Sequence, residues 1–455
     1  MTLIEQLVQS ILPAISVFGT LLIINGIIIF HELGHYYAAL VCGLTPKSVC
    51  VGFGRLVGQV ADKNKTMWQV RLWPLGGYVD LCGTSKRAIA QYHALHYRQK
   101  AFILLGGISA NILLAIILFW AVNIIGFQYR PPIIGSIQPN SIAEQSQIKT
   151  GDKITQVNQH QITTWQDVAY GILLAKASGS PIKISVIRDG SIVNIEDIKS
   201  SSVFTGEQAG LFSLGFEAYT PPWPAIITAI EHGSPADLTG LEIGDEITQI
   251  NHTDIDSAST LLQYIQDHPG HEITITYKRD QQQQKKVITL SSKGTILQKG
   301  FLGIRIAPPS DNQPTLKVHK TSAISGILHA FTDTFKYLMI QCIAFYLLTI
   351  GQLSMSTMGG PILIFAQTYA LFSLENIVLL MQWTAAINIS LAFINLIPIP
   401  IFDGGRLLIL TIETISGMRL SAQAQGQIDR VTVALLVGLA AMVAYNDLLR
   451  ALGLT

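Results

Sequence analysis

The sequence predicts a mixed membrane protein: an α-helical transmembrane core of about four spans, a membrane-associated β loop and two extracytoplasmic α+β domains. Three observations predict it. Charge is excluded from several long apolar stretches, a glycine-rich alternating segment follows the first of them, and the polar middle of the chain contains an internal repeat. The chain has 455 residues, 49% hydrophobic and only 13% charged, with mean hydropathy +0.40. That is too apolar for an ordinary soluble enzyme and too long for one domain. A formal net charge of +1 gives no sign of a nucleic-acid partner. The partner implied by composition is the lipid bilayer.

Residues 6–30, 101–129 and 376–402 contain no charged side chain, and each meets the roughly 20-residue length of a span. Residues 431–449 form a weaker fourth candidate, broken by Asp447. The opening "MTLIEQLVQS" lacks a basic start and a small-residue cleavage site, so the first stretch reads as a retained anchor. Residues 41–100 hold nine Lys or Arg against two acids, Asp62 and Asp80. The positive-inside rule puts this loop in the cytoplasm and residues 130–320 on the other side. The four cysteines are scattered, with none between 126 and 320. They make neither a disulfide scaffold nor a CxxC metal pair.

Residues 52–79, "GFGRLVGQVADKNKTMWQVRLWPLGGYV", alternate like strands and carry many glycines. They form either a cytoplasmic hairpin or a re-entrant loop, since strand edges are tolerated in lipid only where they line a cavity. In the polar middle, "NSIAEQSQIKTGDKITQVNQHQI" from 140 aligns with "GSPADLTGLEIGDEITQINHTDI" from 233, with nine identities including Gly151/Gly244, Asp152/Asp245, Ile154/Ile247 and Asn158/Asn251. Each copy predicts a turn at "GD", a strand, a helix (164–175 and 257–266) and a second strand (182–187 and 272–278). "DQQQQKK" at 280–286 reads as a solvated hairpin tip.

The chemistry begins at "IIIFHELGHYYAAL", residues 27–40. Ionisable side chains at bilayer depth are expensive and mark sites. His31 and His35 stand one helical turn apart, so both imidazoles can face one Zn²⁺. Glu32, about 100° round the helix, can reach the metal's water as general base. A third ligand must lie at the same depth. "NLIPIPIFDGG", residues 395–405, offers Asp403 after the helix-breaking Pro398 and Pro400, with Gly404 and Gly405 to turn the chain. His93 and His96 sit in a basic stretch and read as solvated. Residues 334–350 are apolar enough to suggest a span, yet a span there would leave Asp403 on the face opposite the histidines. Residues 325–350 are therefore predicted as an amphipathic helix on the outer surface, with "MGGPILI" at 358–364 as a turn.

The repeats "IKTGDKITQVN" and "LEIGDEITQIN" resemble the PDZ family, which binds extended peptides at a strand edge. HELGH, the β-rich loop ending "PLGGYV", two such domains and "NLIPIPIFDGG" together resemble the site-2 protease family of intramembrane zinc metalloproteases. The resemblance implies one Zn²⁺ per chain held by His31, His35 and Asp403, with Glu32 as general base. It implies that Asn395 helps hold the substrate backbone and that Gly76, Gly77 and Tyr78 belong to a β element pairing with the unwound substrate. "GGISAN" puts Gly107 where the family's proline is expected.

The domains expected are 1–129, with two spans, HExxH and the β loop; 130–220 and 221–310, the PDZ domains; 311–374, the surface helix and connector; and 375–455, the last two spans. The function expected is cleavage of transmembrane helices of single-pass proteins, such as a pre-trimmed anti-sigma factor, in a bacterial inner membrane. The active site would lie toward the cytoplasm, with the PDZ pair as a periplasmic size filter. The alternative is a non-enzymatic, membrane-anchored PDZ adaptor, which has no use for an intramembrane acid beside a histidine pair. A transporter would spread polar residues over several spans.

Overall fold

The structure, a computed structural model, describes residues 3–83, 86–198, 214–219, 223–293, 299–306, 316–353, 358–373 and 376–451. The domain limits expected at 220–221, 310–311 and 374–375 lie outside the described residues. The helices run α1 (Leu3–Val41), α2 (Lys86–Ala94), α3 (Tyr97–Ile125), α4 (Ile142–Gln145), α5 (Trp165–Ser178) and α6 (Pro235–Leu238). They continue as α7 (Ala258–Asp267), α8 (Ala323–Thr349), α9 (Pro361–Ser373), α10 (Ile377–Leu396), α11 (Asp403–Ser416) and α12 (Ala422–Ala451).

Among the described residues four stretches are long and apolar enough to cross a membrane: Ile15–Val41, Tyr97–Ile125, Ile377–Leu396 and Gln423–Leu449. Their limits differ from the charge-free stretches for physical reasons. The first runs on through HELGH because its polar side chains turn into the bundle rather than ending the helix. The third stops at Leu396 because Ile397 is extended (φ −61, ψ 137), the conformation a following proline imposes. Asp447 does not break the fourth. It is buried and accepts the backbone N–H groups of Gly360 and Leu363, each at 3.0 Å, so its charge caps the N-terminus of α9. The turn expected across 358–364 is accordingly confined to 358–360.

Helix α3 is the centre of the bundle, with α1, α8, α10 and α11 packed on it. Glycines allow the α1–α3 crossing. A Cβ on Gly34 would lie 2.2 Å from the Gly106 carbonyl oxygen, and one on Gly106 2.5 Å from that of Gly34. Small residues substitute close backbone approach for the hydrophobic driving force that lipid cannot supply. Helix α8 is not among the four spanning stretches. Its Tyr337 stacks on Phe119 of α3 at 5.3 Å, its Ile343 and Leu347 join the core of the first repeat domain, and its Lys336 pairs with Asp167 of α5 at 2.8 Å.

Strands β1 (Ser48–Ala61) and β2 (Met67–Asp80) pair antiparallel. Residues 48–51 lie between 77–80, which run antiparallel to them, and 67–70, which run parallel to them and pair in turn with 58–61, so the two long strands fold into one four-segment sheet. The other side of residues 77–80 has no strand partner among the described residues, and Gly77 packs near Ile28 and Glu32 of α1.

The repeat explains itself in three dimensions. Gly151 and Gly244 have φ of +88° and +99°, which only glycine adopts cheaply. Asn158 and Asn251 turn in the left-handed region (φ 50° and 53°), and their side-chain oxygens accept the N–H of Lys183 and Thr274. Ser141 and Ser234 cap α4 and α6, and Ile154 and Ile247 are core. The expected helices and second strands match Trp165–Ser178, Ala258–Asp267, Ile182–Arg188 and Glu272–Arg279, and the fold is two PDZ domains beside a membrane-helix core. The polyglutamine run mostly lies within a strand (Gln282–Thr289), with only Asp280 and Gln281 at the tip.

Asp152 and Asp245 are buried and take both forks of Arg188 and Arg279, at 2.7–2.8 Å and 2.7 Å. Burial pushes the Asp245 carboxyl up, but the Arg279 guanidinium and the Glu242 N–H outweigh it and hold it below the usual carboxylate range. The pair therefore stabilises the domain above the unfolded pKa of about 3.9 and loses that contribution as pH falls through the depressed folded value. Asp245→Ala is expected to destabilise the second PDZ domain by about 3 kcal/mol at neutral pH. Hydrogen exchange over residues 225–290 in the full chain checks this, and unchanged protection would contradict it.

Candidate active site

His31 and His35 face α3 from adjacent turns of α1, with their Nε2 atoms 3.1 Å apart. Asp403 Oδ2 arrives from the first turn of α11, 3.3 Å from each. Zinc bonds of about 2.0–2.1 Å at tetrahedral angles imply ligand–ligand separations of about 3.3 Å, so the three atoms already have a zinc-sized spacing. Asp403 Oδ2 is buried and has no hydrogen-bond partner among the described residues. A buried anionic oxygen without donors is costly, and a cation shared with the two imidazoles removes that cost. No other such cluster of His, Cys, Asp or Glu is found among the described residues.

The chain reaches this geometry through a sharp reversal after α10. Gly404 and Gly405 do not turn the backbone by unusual dihedrals, since neither has positive φ. They let α11 press on the turn just made: Cβ atoms there would lie 2.2 Å from the Leu396 carbonyl oxygen and 2.0 Å from that of Ile399.

Behind this cluster, His35 Nδ1 is 2.8 Å from the Ile103 carbonyl. The Asn111 amide nitrogen sits 3.2 Å from His31 Nδ1, while its oxygen is buried without a partner. A ring that gives Nε2 to a metal carries its proton on Nδ1 and needs an acceptor there. Ile103 supplies one, and rotation of the Asn111 amide supplies the other. Neither residue was singled out in the sequence. Asn111 had a signal, a polar side chain inside a charge-free span; Ile103 had none, because it acts through its backbone.

Gly107 faces both imidazoles. A Cβ there would lie 2.4 Å from His35 Nε2 and 2.7 Å from His31 Nε2. In this packing a side chain at 107 would press on both imidazoles, and α3 runs unbroken past it.

Glu32 accepts a hydrogen bond from the Val79 backbone and lies close enough to His31, His35 and Asp403 for their charges to act on it. Gly77 packs directly on it, a Cβ there falling 3.3 Å from Glu32 Cγ and 2.9 Å from the Cys50 carbonyl. Gly76 has φ +95°, and Tyr78 stacks on Phe53 at 6.4 Å. The structure thus places Gly76, Gly77 and Tyr78 on the strand beside Glu32. The Asn395 amide nitrogen donates to the Leu391 carbonyl of its own helix at 3.0 Å.

The model of Peptidase family M50 matches residues 19–439. "Protease RseP" of Yersinia pestis is 28% identical over 97% of this chain and 100% of its own length. "Regulator of sigma-E protease RseP" of Escherichia coli is 28% identical over 93% of this chain and 96% of its own. Among solved structures, the PDZ domain of an SdrC-like protein from Listeria innocua is 23% identical, covering 18% of this chain and 91% of its own, with TM-score 0.17. The family match takes in both the HExxH helix and the distant aspartate along with everything between. This chain therefore belongs to Peptidase family M50 and is a zinc-dependent metalloendopeptidase with membrane helices and PDZ domains.

Proposed function

We propose that the chain hydrolyses peptide bonds within transmembrane helices, using His31, His35 and Asp403 as zinc ligands and Glu32 as general base. The observation that carries this reading is the convergence of residues roughly 370 positions apart on one zinc-sized cluster. Zinc, when bound, supplies a Lewis acid that polarises the scissile carbonyl and acidifies water. Glu32 takes the proton of the attacking water and returns it to the leaving amine. Ile103 and Asn111 fix the imidazole rings. A helical substrate hides its carbonyls in hydrogen bonds, so it must unwind. The free edge of residues 77–80, with Asn395, offers the opened backbone replacement partners.

The substrates are single-pass membrane proteins. Relatives named as regulators of sigma-E protease favour a pre-trimmed anti-sigma factor in a bacterial inner membrane. Basic residues 41–100 lie in the cytoplasm, α8 lies on the outer surface, and the periplasmic PDZ pair screens substrates by ectodomain size. Deleting residues 130–310 is expected to admit substrates with intact ectodomains while cleavage of short ones continues. Loss of all cleavage would contradict the filter. The reading as a whole is tested by assaying purified protein for zinc and for cleavage of a reconstituted single-pass substrate. Chelation should stop cleavage, and cleavage that survives full zinc removal would overturn it.

A further inference from the structure

The helix bearing HELGHY carries two ladders. His31 and His35 form one; Glu32 and Tyr36, also four residues apart, form the other, rotated by about 100°. The second ladder holds the β ribbon at two points. At Glu32 the contact is with Gly77 and Val79. At Tyr36, which is buried to 4% exposure, the hydroxyl donates to Asp62 Oδ2. Asp62 is the first residue of the turn between β1 and β2. Its carboxylate also takes Trp68 Nε1–H at 3.1 Å and the backbone N–H groups of Asn64 and Thr66 at 2.8 and 2.9 Å. Asn64 Nδ2 donates to the Tyr36 hydroxyl at 3.1 Å, Trp68 packs edge-on against the Tyr36 ring at 5.4 Å, and buried Thr66 donates to the Pro46 carbonyl at 2.8 Å.

Among the described residues the far parts of the ribbon are more open. Phe53, Val57, Val60, Val70 and Trp73 are 50–67% exposed. A carboxylate with four donors is a strong local organiser, because charge-assisted hydrogen bonds are shorter and stronger than neutral ones. We propose that Tyr36 and Asp62 are positioning residues that clamp the β ribbon to the HExxH helix and so set the edge of residues 77–80 at the distance from Glu32 that an unwinding substrate requires. The proposal rests on the proteolytic reading above. Neither residue touches the reacting atoms; both act through the ribbon, so the clamp matters in proportion to how much unwinding the substrate needs.

The experiment compares wild type, Tyr36→Phe and Asp62→Asn, each with zinc content measured, on two versions of one transmembrane substrate. One version has a stable helix at the scissile region and the other has Gly and Pro placed to open it beforehand. The phenylalanine variant keeps the ring packing and removes only the hydroxyl. Both variants should retain stoichiometric zinc and cleave the pre-opened substrate within about twofold of wild type, yet lose at least about tenfold in kcat/KM on the stable helix. Variants that equal wild type on both substrates, or that lose equally on both, overturn the clamp. Wild type that cleaves neither overturns the proteolytic reading instead.

Discussion

Glu32→Gln is expected to abolish proteolysis while leaving the zinc in place. The substitution preserves length, the Gly77 packing surface and an acceptor for the Val79 N–H, so neither α1 nor the ribbon has cause to move. It removes the one carboxylate beside the metal cluster that is not itself a candidate ligand. Loss of a general base lowers rates by about 10²–10⁴-fold, and the amide cannot accept a proton to replace it. Reconstituted cleavage assays with parallel metal analysis check this. Undiminished cleavage would remove Glu32 from the mechanism, and loss of zinc would make it a ligand.

Gly107→Ala is expected to be nearly as damaging, although one methyl group in a helix usually helps. An exposed helical Gly→Ala change stabilises by about 0.5–1 kcal/mol. At 107 the new Cβ would sit 2.4 Å from His35 Nε2. Moving α3 away from α1 would open the close Gly34–Gly106 backbone packing that joins the two helices. The imidazoles must turn instead, breaking their alignment with Ile103 and Asn111. Disturbing such supports costs about 10–100-fold in metal affinity, and an ångström of misplacement about 10²-fold in rate. Gly426→Ala and Gly438→Ala, which meet nothing within 4 Å, are the controls expected to cleave normally. Wild-type zinc content and activity in Gly107→Ala would contradict the packing argument.

The cluster of His31, His35 and Asp403 was legible because ionisable residues are rare in apolar stretches, so each of the three stood out. The spacing of the histidines is a local property of a helix, and Asp403 stood out at the end of a charge-free stretch. The repeat was legible for the same kind of reason: turn glycines and asparagines recur wherever the same backbone recurs. What the sequence concealed was contact between distant segments. Nothing in "GGISAN" says that Gly107 faces two imidazoles. Asp447 looked like an interruption because its partners, two N–H groups of a short helix more than 80 positions earlier, are backbone atoms. The Asp152–Arg188 and Asp245–Arg279 pairs had a faint signal in the recurring "RD" at 188–189 and 279–280, visible only once the repeat is extended past its identical core.

X-ray absorption at the zinc edge of the purified full-length protein tests the metal centre most directly. Two imidazole nitrogens with carboxylate and solvent oxygens, all at about 2.0–2.1 Å, and loss of the bound ion in Asp403→Ala, are the result expected. A sulfur scatterer at about 2.3 Å, pointing to Cys42, Cys50, Cys82 or Cys342, or a spectrum unchanged by removing the Asp403 carboxylate, would contradict it.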